Sequence, residues 1–144
     1  MLPSATTTEG DGVTDEELIA QVVEDAYDTL AFEPGGEPDW QRFAQVFVPN
    51  ALLALRVFPG DPEVRVMDLP GYFEAQMGGG LKDEGYSETP GERTTEVLGD
   101  VAVVRQRFTM NFTARPAAAA VDLFSLVRTG GRWLIVSVVS DMER

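Results

Sequence analysis

Asp122 is a carboxylate in unusual company. It sits between Val121 and Leu123 in a segment, 121–129, that otherwise reads as an apolar strand. Removing a carboxylate from water disfavours its charged form and raises its pKa, so such a group can stay protonated and donate a hydrogen bond. The chemistry open to it is that of an acid or of a partner for a developing oxyanion. Missing residue types close off other chemistries. The 144 residues include no histidine and no cysteine. The chain therefore has no imidazole base, no Ser-His or Cys-His pair, no thiolate, no disulfide and no His- or Cys-ligated metal. Lys82 is the single lysine, so Schiff-base chemistry would rest on it alone. The residues call for no cofactor and no metal.

Charge narrows the partners. Acidic residues number 24 and basic residues 11, a formal net charge of −13. A nucleic-acid binder needs a basic stripe to displace counterions, and an anionic membrane surface attracts basic rather than acidic patches. Neither partner is expected. The segment 1–12 has no basic start and no apolar core, and no run approaches the roughly 20 apolar residues of a membrane span. The expectation is a cytoplasmic protein with a disordered leader over residues 1–13 and one domain over 14–144.

The elements that would position Asp122 can be placed from periodicity. Thr14 is a helix N-cap with Glu17 at the capping-box spacing, and Asp15-Glu16-Glu17 read as an acidic first turn that favours the positive helix end. Leu18, Ile19, Val22, Val23, Ala26, Tyr27 and Leu30 then follow the rhythm of one buried helix face, up to Pro34-Gly35-Gly36. A short helix follows from Asp39 with Trp40, Phe43, Ala44 and Phe47, and a buried strand covers 51–58. Asp68 can cap a third helix with Pro70 in its first turn and Tyr72, Phe73 and Met77 along it. Gly78-Gly79-Gly80 and the polar residues up to Gly85 read as a mobile loop without the GK[ST] ending of a phosphate-binding loop.

The second half changes period. A strand is expected over 92–98, and 101–113 alternates with Val104, Gln106, Phe108, Met110 and Phe112 on one face. Strands over 121–129 and 133–140 flank a tight turn at Gly130-Gly131. Helices first and then a meander of long strands is an α+β layout. Trp133, Ile135, Val121 and Leu123 share the opposite parity from Leu134 and Val136, which assigns them to the outer sheet face. An apolar patch there would suit a homodimer.

The arrangement resembles the nuclear transport factor 2-like superfamily, and within it the SnoaL-like branch of small bacterial proteins, over residues 14–142. The resemblance rests on the run Asp39-Trp40-Gln41-Arg42-Phe43-Ala44-Gln45 leading into Phe47-Val48-Pro49-Asn50-Ala51. It rests also on Gly99-Asp100-Val101-Ala102-Val103-Val104-Arg105, and on Asp122-Leu123-Phe124-Ser125-Leu126-Val127-Arg128 passing through Gly130-Gly131 to Trp133-Leu134-Ile135-Val136. It implies a curved antiparallel sheet forming a cone, covered by one long and two short N-terminal helices, around an apolar pocket. Members of the superfamily include isomerases, dehydratases, epoxide hydrolases, polyketide cyclases and proteins without known catalysis.

What the resemblance implies for the site is specific. It turns Val104, Gln106, Phe108, Met110 and Phe112 inward, with Asp122, Phe124 and Leu126 and with Leu134, Val136, Val138 and Ser140. Tyr27, Gln106 and Asp122 would then meet in the cavity. Asp122 matches the oxyanion-stabilising aspartate of ketosteroid isomerases, and Tyr27 resembles its partner tyrosine; together they would hold a carbonyl or enolate oxygen. The position of that family's general base falls near Leu55, which cannot take a proton, while Asp61 suits a turn. Isomerase activity is therefore not expected. Arg105 and Arg107 have outward parity, and Arg56 is a less favoured inward candidate. Trp40, Phe43, Tyr72, Phe108, Met110, Phe124 and Leu55 would line a pocket for an apolar or aromatic small molecule. Three readings stay open: a binding protein oriented by Asp122 and Tyr27, a cyclase or isomerase of secondary metabolism with Asp122 as acid, and an interaction module whose pocket its own side chains fill.

Overall fold

The computed structural model describes residues 12–143. The expected leader falls, over residues 1–11, outside the described residues. Helix α1 spans Asp15–Leu30 and starts as its sequence dictates: Thr14 Oγ1 accepts from the Glu17 backbone while the Glu17 carboxylate accepts from the Thr14 N–H at 3.1 Å. Its buried stripe is Ile19, Val23, Ala26, Tyr27 and Leu30. Then come α2 (Trp40–Ala44), β1 (Phe47–Leu55), β2 (Arg65–Met67), α3 (Leu69–Gln76), α4 (Leu81–Glu84) and four long strands. These are β3 (Tyr86–Leu98), β4 (Val101–Phe112), β5 (Ala118–Thr129) and β6 (Arg132–Met142). Asp68 caps α3 as expected, and Asp39 caps α2.

The six strands form one open sheet in the order β2-β1-β6-β5-β4-β3. Pairing is antiparallel throughout except between β1 and β6, which run parallel, so the sheet is mixed. The fold is α+β, with α1 packed against the concave face of β3 and β6. Gly130 and Gly131 both take positive φ in the turn between β5 and β6, as a two-residue hairpin of matching twist requires. Two expectations at the start of β3 are corrected. The stretch expected to be a mobile loop contains the helical turn α4, which seats Leu81 in the core, and β3 begins six residues before the expected strand.

The parity expected for β6 holds in its second half and fails in its first. Ser125 pairs with Ser137, but Leu126 pairs with Ile135, so Val136 is an extra residue in the strand. A bulge of this kind turns over every side chain on one side of it. Trp133 and Ile135, assigned to the outer face by alternation, lie in the core at 4% and 0% exposure. Leu134 and Val136, expected inside, are half-buried instead. The outer face keeps an apolar patch with other members, among them Leu52, Val103, Leu123 and Val139.

The acidic first turn of α1 is also more than capping. Asp15 is buried, and its Oδ1 accepts from Arg128 Nη1 at 2.8 Å and from the Trp133 indole at 3.3 Å. The start of the long helix is thereby fastened to the last hairpin.

Candidate functional site

The concave face, α1 and α3 enclose a cavity lined by side chains from every layer. Tyr27 and Leu30 come from α1, Phe43 from α2, Leu53 and Leu55 from β1, and Tyr72 and Gln76 from α3. The sheet contributes Glu88, Phe108, Met110, Asp122, Phe124, Val138 and Ser140. The space free of atoms is about 540 Å³ counted to where it merges with solvent, of which about 50 Å³ admits the centre of a water molecule. The cavity is narrow as well as apolar.

Its polar floor is built by strand register. Asp122 pairs with Gln106 on one side and Ser140 on the other. Tyr27 reaches down from α1, wedged against Phe108 and Phe124 at ring-centroid distances of 5.7 and 6.1 Å, and its hydroxyl donates to Asp122 Oδ2 at 2.6 Å. The Ser140 hydroxyl donates to the same carboxylate. Burial pushes the Asp122 carboxyl up to about 6, against the opposing pull of these two hydrogen bonds. Burial and then the negative charge of Asp122 push the Tyr27 phenol far above its ordinary range, which leaves it a permanent donor.

Glu88, which sequence reading missed, brings a second carboxyl to this cavity. It stands on β3 opposite Met110 and accepts a hydrogen bond from the Tyr86 hydroxyl. Burial, then repulsion from Asp122, raises it to about 8, while the Tyr86 hydrogen bond pulls the other way. The signal was the spacing of Tyr86 and Glu88 against the inward residues Phe112 and Met110, legible only once β3 is known to start at Tyr86. Gln76 was missed as well, although it lies one helical turn beyond Tyr72 on the same face of α3.

The structure brings together eight of the ten residues expected at the site: Asp122, Tyr27, Phe108, Met110, Phe124, Phe43, Tyr72 and Leu55. Gln106 and Trp40 lie elsewhere. The Gln106 carbonyl accepts from Arg93 Nη1 at 3.0 Å, and its amide nitrogen donates to the carbonyls of Gly91 and Arg107 at 3.0 and 2.9 Å. It thus braces an irregularity of β3 between Pro90 and Arg93. Trp40 stacks on Phe73 at 4.3 Å, outside the cavity lining. Arg56 does line the cavity, but its guanidinium is held by Asp141 at 2.5 Å and by the Asp61 carbonyl. Asp61 closes its own turn by accepting from the Phe58 N–H. Among the described residues no cluster of three or more acidic side chains is placed to hold a metal ion, and no helix is long and apolar enough to cross a membrane.

The family model described as "Putative lumazine-binding" matches residues 15–139. The chain belongs to this family. Solved structures place the family member's fold in the nuclear transport factor 2-like class. An NTF2-like protein of unknown function from Shewanella baltica OS155 superposes with a TM-score of 0.63 at 15% identity, covering 96% of this chain and 99% of that one. A putative aromatic ring hydroxylase from Novosphingobium aromaticivorans gives 0.68 at 14% identity, covering 90% of each chain. A putative calcium/calmodulin dependent protein kinase II association domain from Xanthomonas campestris gives 0.64 at 17% identity, covering 99% and 98%. At these identities the likeness establishes the fold and nothing finer. No curated protein sequence matches this lumazine-binding family member.

Proposed function

We propose that the protein binds a small, flat, largely apolar molecule in the cavity and orients it on the Tyr27–Asp122 pair. The single observation behind this reading is the 2.6 Å hydrogen bond from the Tyr27 hydroxyl to a carboxyl buried at the floor of an apolar cavity. A protein with no use for such a group would gain stability from an apolar residue there, since burying a carboxyl is costly. A pair that shares one hydrogen bond can reopen to donate to a ligand carbonyl, the phenol remaining protonated at any physiological pH.

The family description supports a heteroaromatic ligand, because lumazine is a flat bicycle edged with carbonyl and N–H groups. The narrowness of the cavity favours a ring over a globular ligand. A ring-sized guest would have to displace side chains, and Met110 and Met142 in the wall are of the type that adapts most readily.

Titration of the protein with lumazine, followed by its fluorescence, tests the reading. Binding is expected in the wild type and is expected to weaken at least about tenfold in Asp122→Asn and Tyr27→Phe, the loss of one strong hydrogen bond. Native mass spectrometry of protein purified from its own host gives an independent readout. No lumazine binding together with no bound small molecule would overturn the proposal.

The second reading, an acid–base enzyme of the cyclase or isomerase kind, is favoured by Glu88. That carboxyl, lifted to about 8, could exchange a proton with a bound ligand near neutral pH. The outer-face patch of Leu52, Val103, Leu123 and Val139 supports a homodimer through the convex side of the sheet.

A further inference from the structure

Gln76 closes helix α3, is 2% exposed and lines the cavity. Its side-chain amide has no hydrogen-bond partner among the described residues, and neither has the hydroxyl of Tyr72, which is 4% exposed and faces the same space one turn earlier. The other polar groups of the cavity are engaged: Asp122 with Tyr27 and Ser140, Glu88 with Tyr86, Arg56 with Asp141. Buried amides are nearly always paired, because an unpaired one forfeits its hydration with no return. An amide held open inside a cavity is therefore the part of the wall most in need of a guest.

We propose that Gln76 is the specificity-determining residue of the cavity and that it selects a ligand carrying a lactam edge, an N–H beside a C=O. This rests on the reading of the cavity as a small-molecule site and names the ligand class. A primary amide presents an acceptor oxygen and donor hydrogens in one plane. The edge that fills both is a cis-amide, as in a lactam or imide ring. A lone ketone or hydroxyl would leave half of the amide open. A carboxylate ligand is disfavoured, since two carboxyls already share the space and each added negative charge meets theirs. The rings of Phe43, Phe47 and Tyr72 line the same cavity and suit a flat ligand.

The experiment compares two fluorescent probes on the full-length chain: carbostyril, a bicyclic lactam, and N-methylcarbostyril, which has the same rings and carbonyl but no N–H. The wild type is expected to prefer the lactam by at least about tenfold, as sites built around a hydrogen bond reject analogues that cannot make it. In Gln76→Met, close in volume and unable to pair, the preference is expected to fall to within about twofold, the lactam losing more affinity than N-methylcarbostyril. Gln76→Glu, the nearest isostere, gives a second variant, and thermal melts check that each is folded.

If a folded Gln76→Met keeps the wild-type preference, or the wild type has none, the role of Gln76 falls while the cavity reading stands. If neither probe binds the wild type, the lactam assignment falls. Native mass spectrometry of the host-purified protein then decides the broader reading, which a stoichiometric adduct keeps and a bare chain sinks.

Discussion

Asp15 and Arg128 lie 113 residues apart in sequence and 2.8 Å apart in space, with the Trp133 indole donating to the same carboxylate oxygen. Arg128 also pairs with Asp100, and its guanidinium lies 5.3 Å above the Trp133 ring centre. This cluster joins the first helical turn to the final hairpin, the two ends of the folded chain. Removing Asp15 leaves the buried Trp133 indole N–H without its acceptor while Arg128 keeps Asp100, so Asp15→Ala should lower stability by about 1–3 kcal/mol. Asp15→Asn should cost less than about 2 kcal/mol, because it keeps an acceptor for Trp133. Urea unfolding of the two variants measures the difference.

Tyr27→Phe removes the hydroxyl that holds the Asp122 carboxylate. Since that hydrogen bond favours the charged form, the Asp122 carboxyl should titrate at a higher pH in the variant, above about 6. Carbon-detected NMR of the aspartate side chains reads the shift directly. A downward shift would mean that the pair does not share a proton donor as the geometry requires.

Stability should decline as pH rises from acid towards weakly alkaline. Both cavity carboxyls are raised, Asp122 to about 6 and Glu88 to about 8, so the folded chain holds protons that the unfolded chain releases near pH 4. Their stabilising contribution is complete below the unfolded values and is lost as pH climbs through the folded ones. Glu88→Gln removes one of the two titrations and keeps an acceptor for Tyr86. Its denaturation midpoint should therefore change less between pH 5 and pH 8.5 than that of the wild type.

The outer patch makes a prediction of its own. Val103 stands opposite Ser125, and Leu123 opposite Val139, across the convex face. A double substitution, Val103→Glu with Leu123→Glu, places carboxylates on two exposed positions with little cost to the monomer. Sedimentation should show a dimer for the wild type and a monomer for the variant. A monomeric wild type would remove the dimer from consideration.

Much of this was legible from residue order alone. The capping box of α1, the Gly130-Gly131 turn and the alternation of β4 follow from local chemistry, which a sequence displays. Asp122 and Tyr27 could be paired because an isolated acid in an apolar strand and a tyrosine on a buried helix face are each conspicuous. Glu88 and Gln76 were hidden for a different reason: each is an ordinary polar residue at the edge of an element, and its burial is decided by strand pairing and helix packing from elsewhere in the chain. Gln106 misled because alternation reports which way a side chain points, whereas its partners are set by the irregular stretch of β3 beside it.

The additional residue in β6 gives that strand two inner faces in sequence, offset by half a period. Trp133 serves the anchor beside α1 and Ile135 the core, while Val138 and Ser140 line the cavity. The strand thus works as two rulers joined at Val136 with a deliberate slip between them. Flattening the bulge at unchanged strand length would put both halves on one alternation, and either the Asp15 anchor or the Ser140 contact with Asp122 would then face the wrong side of the sheet. The bulge in this strand is as much a part of the site as any side chain in it.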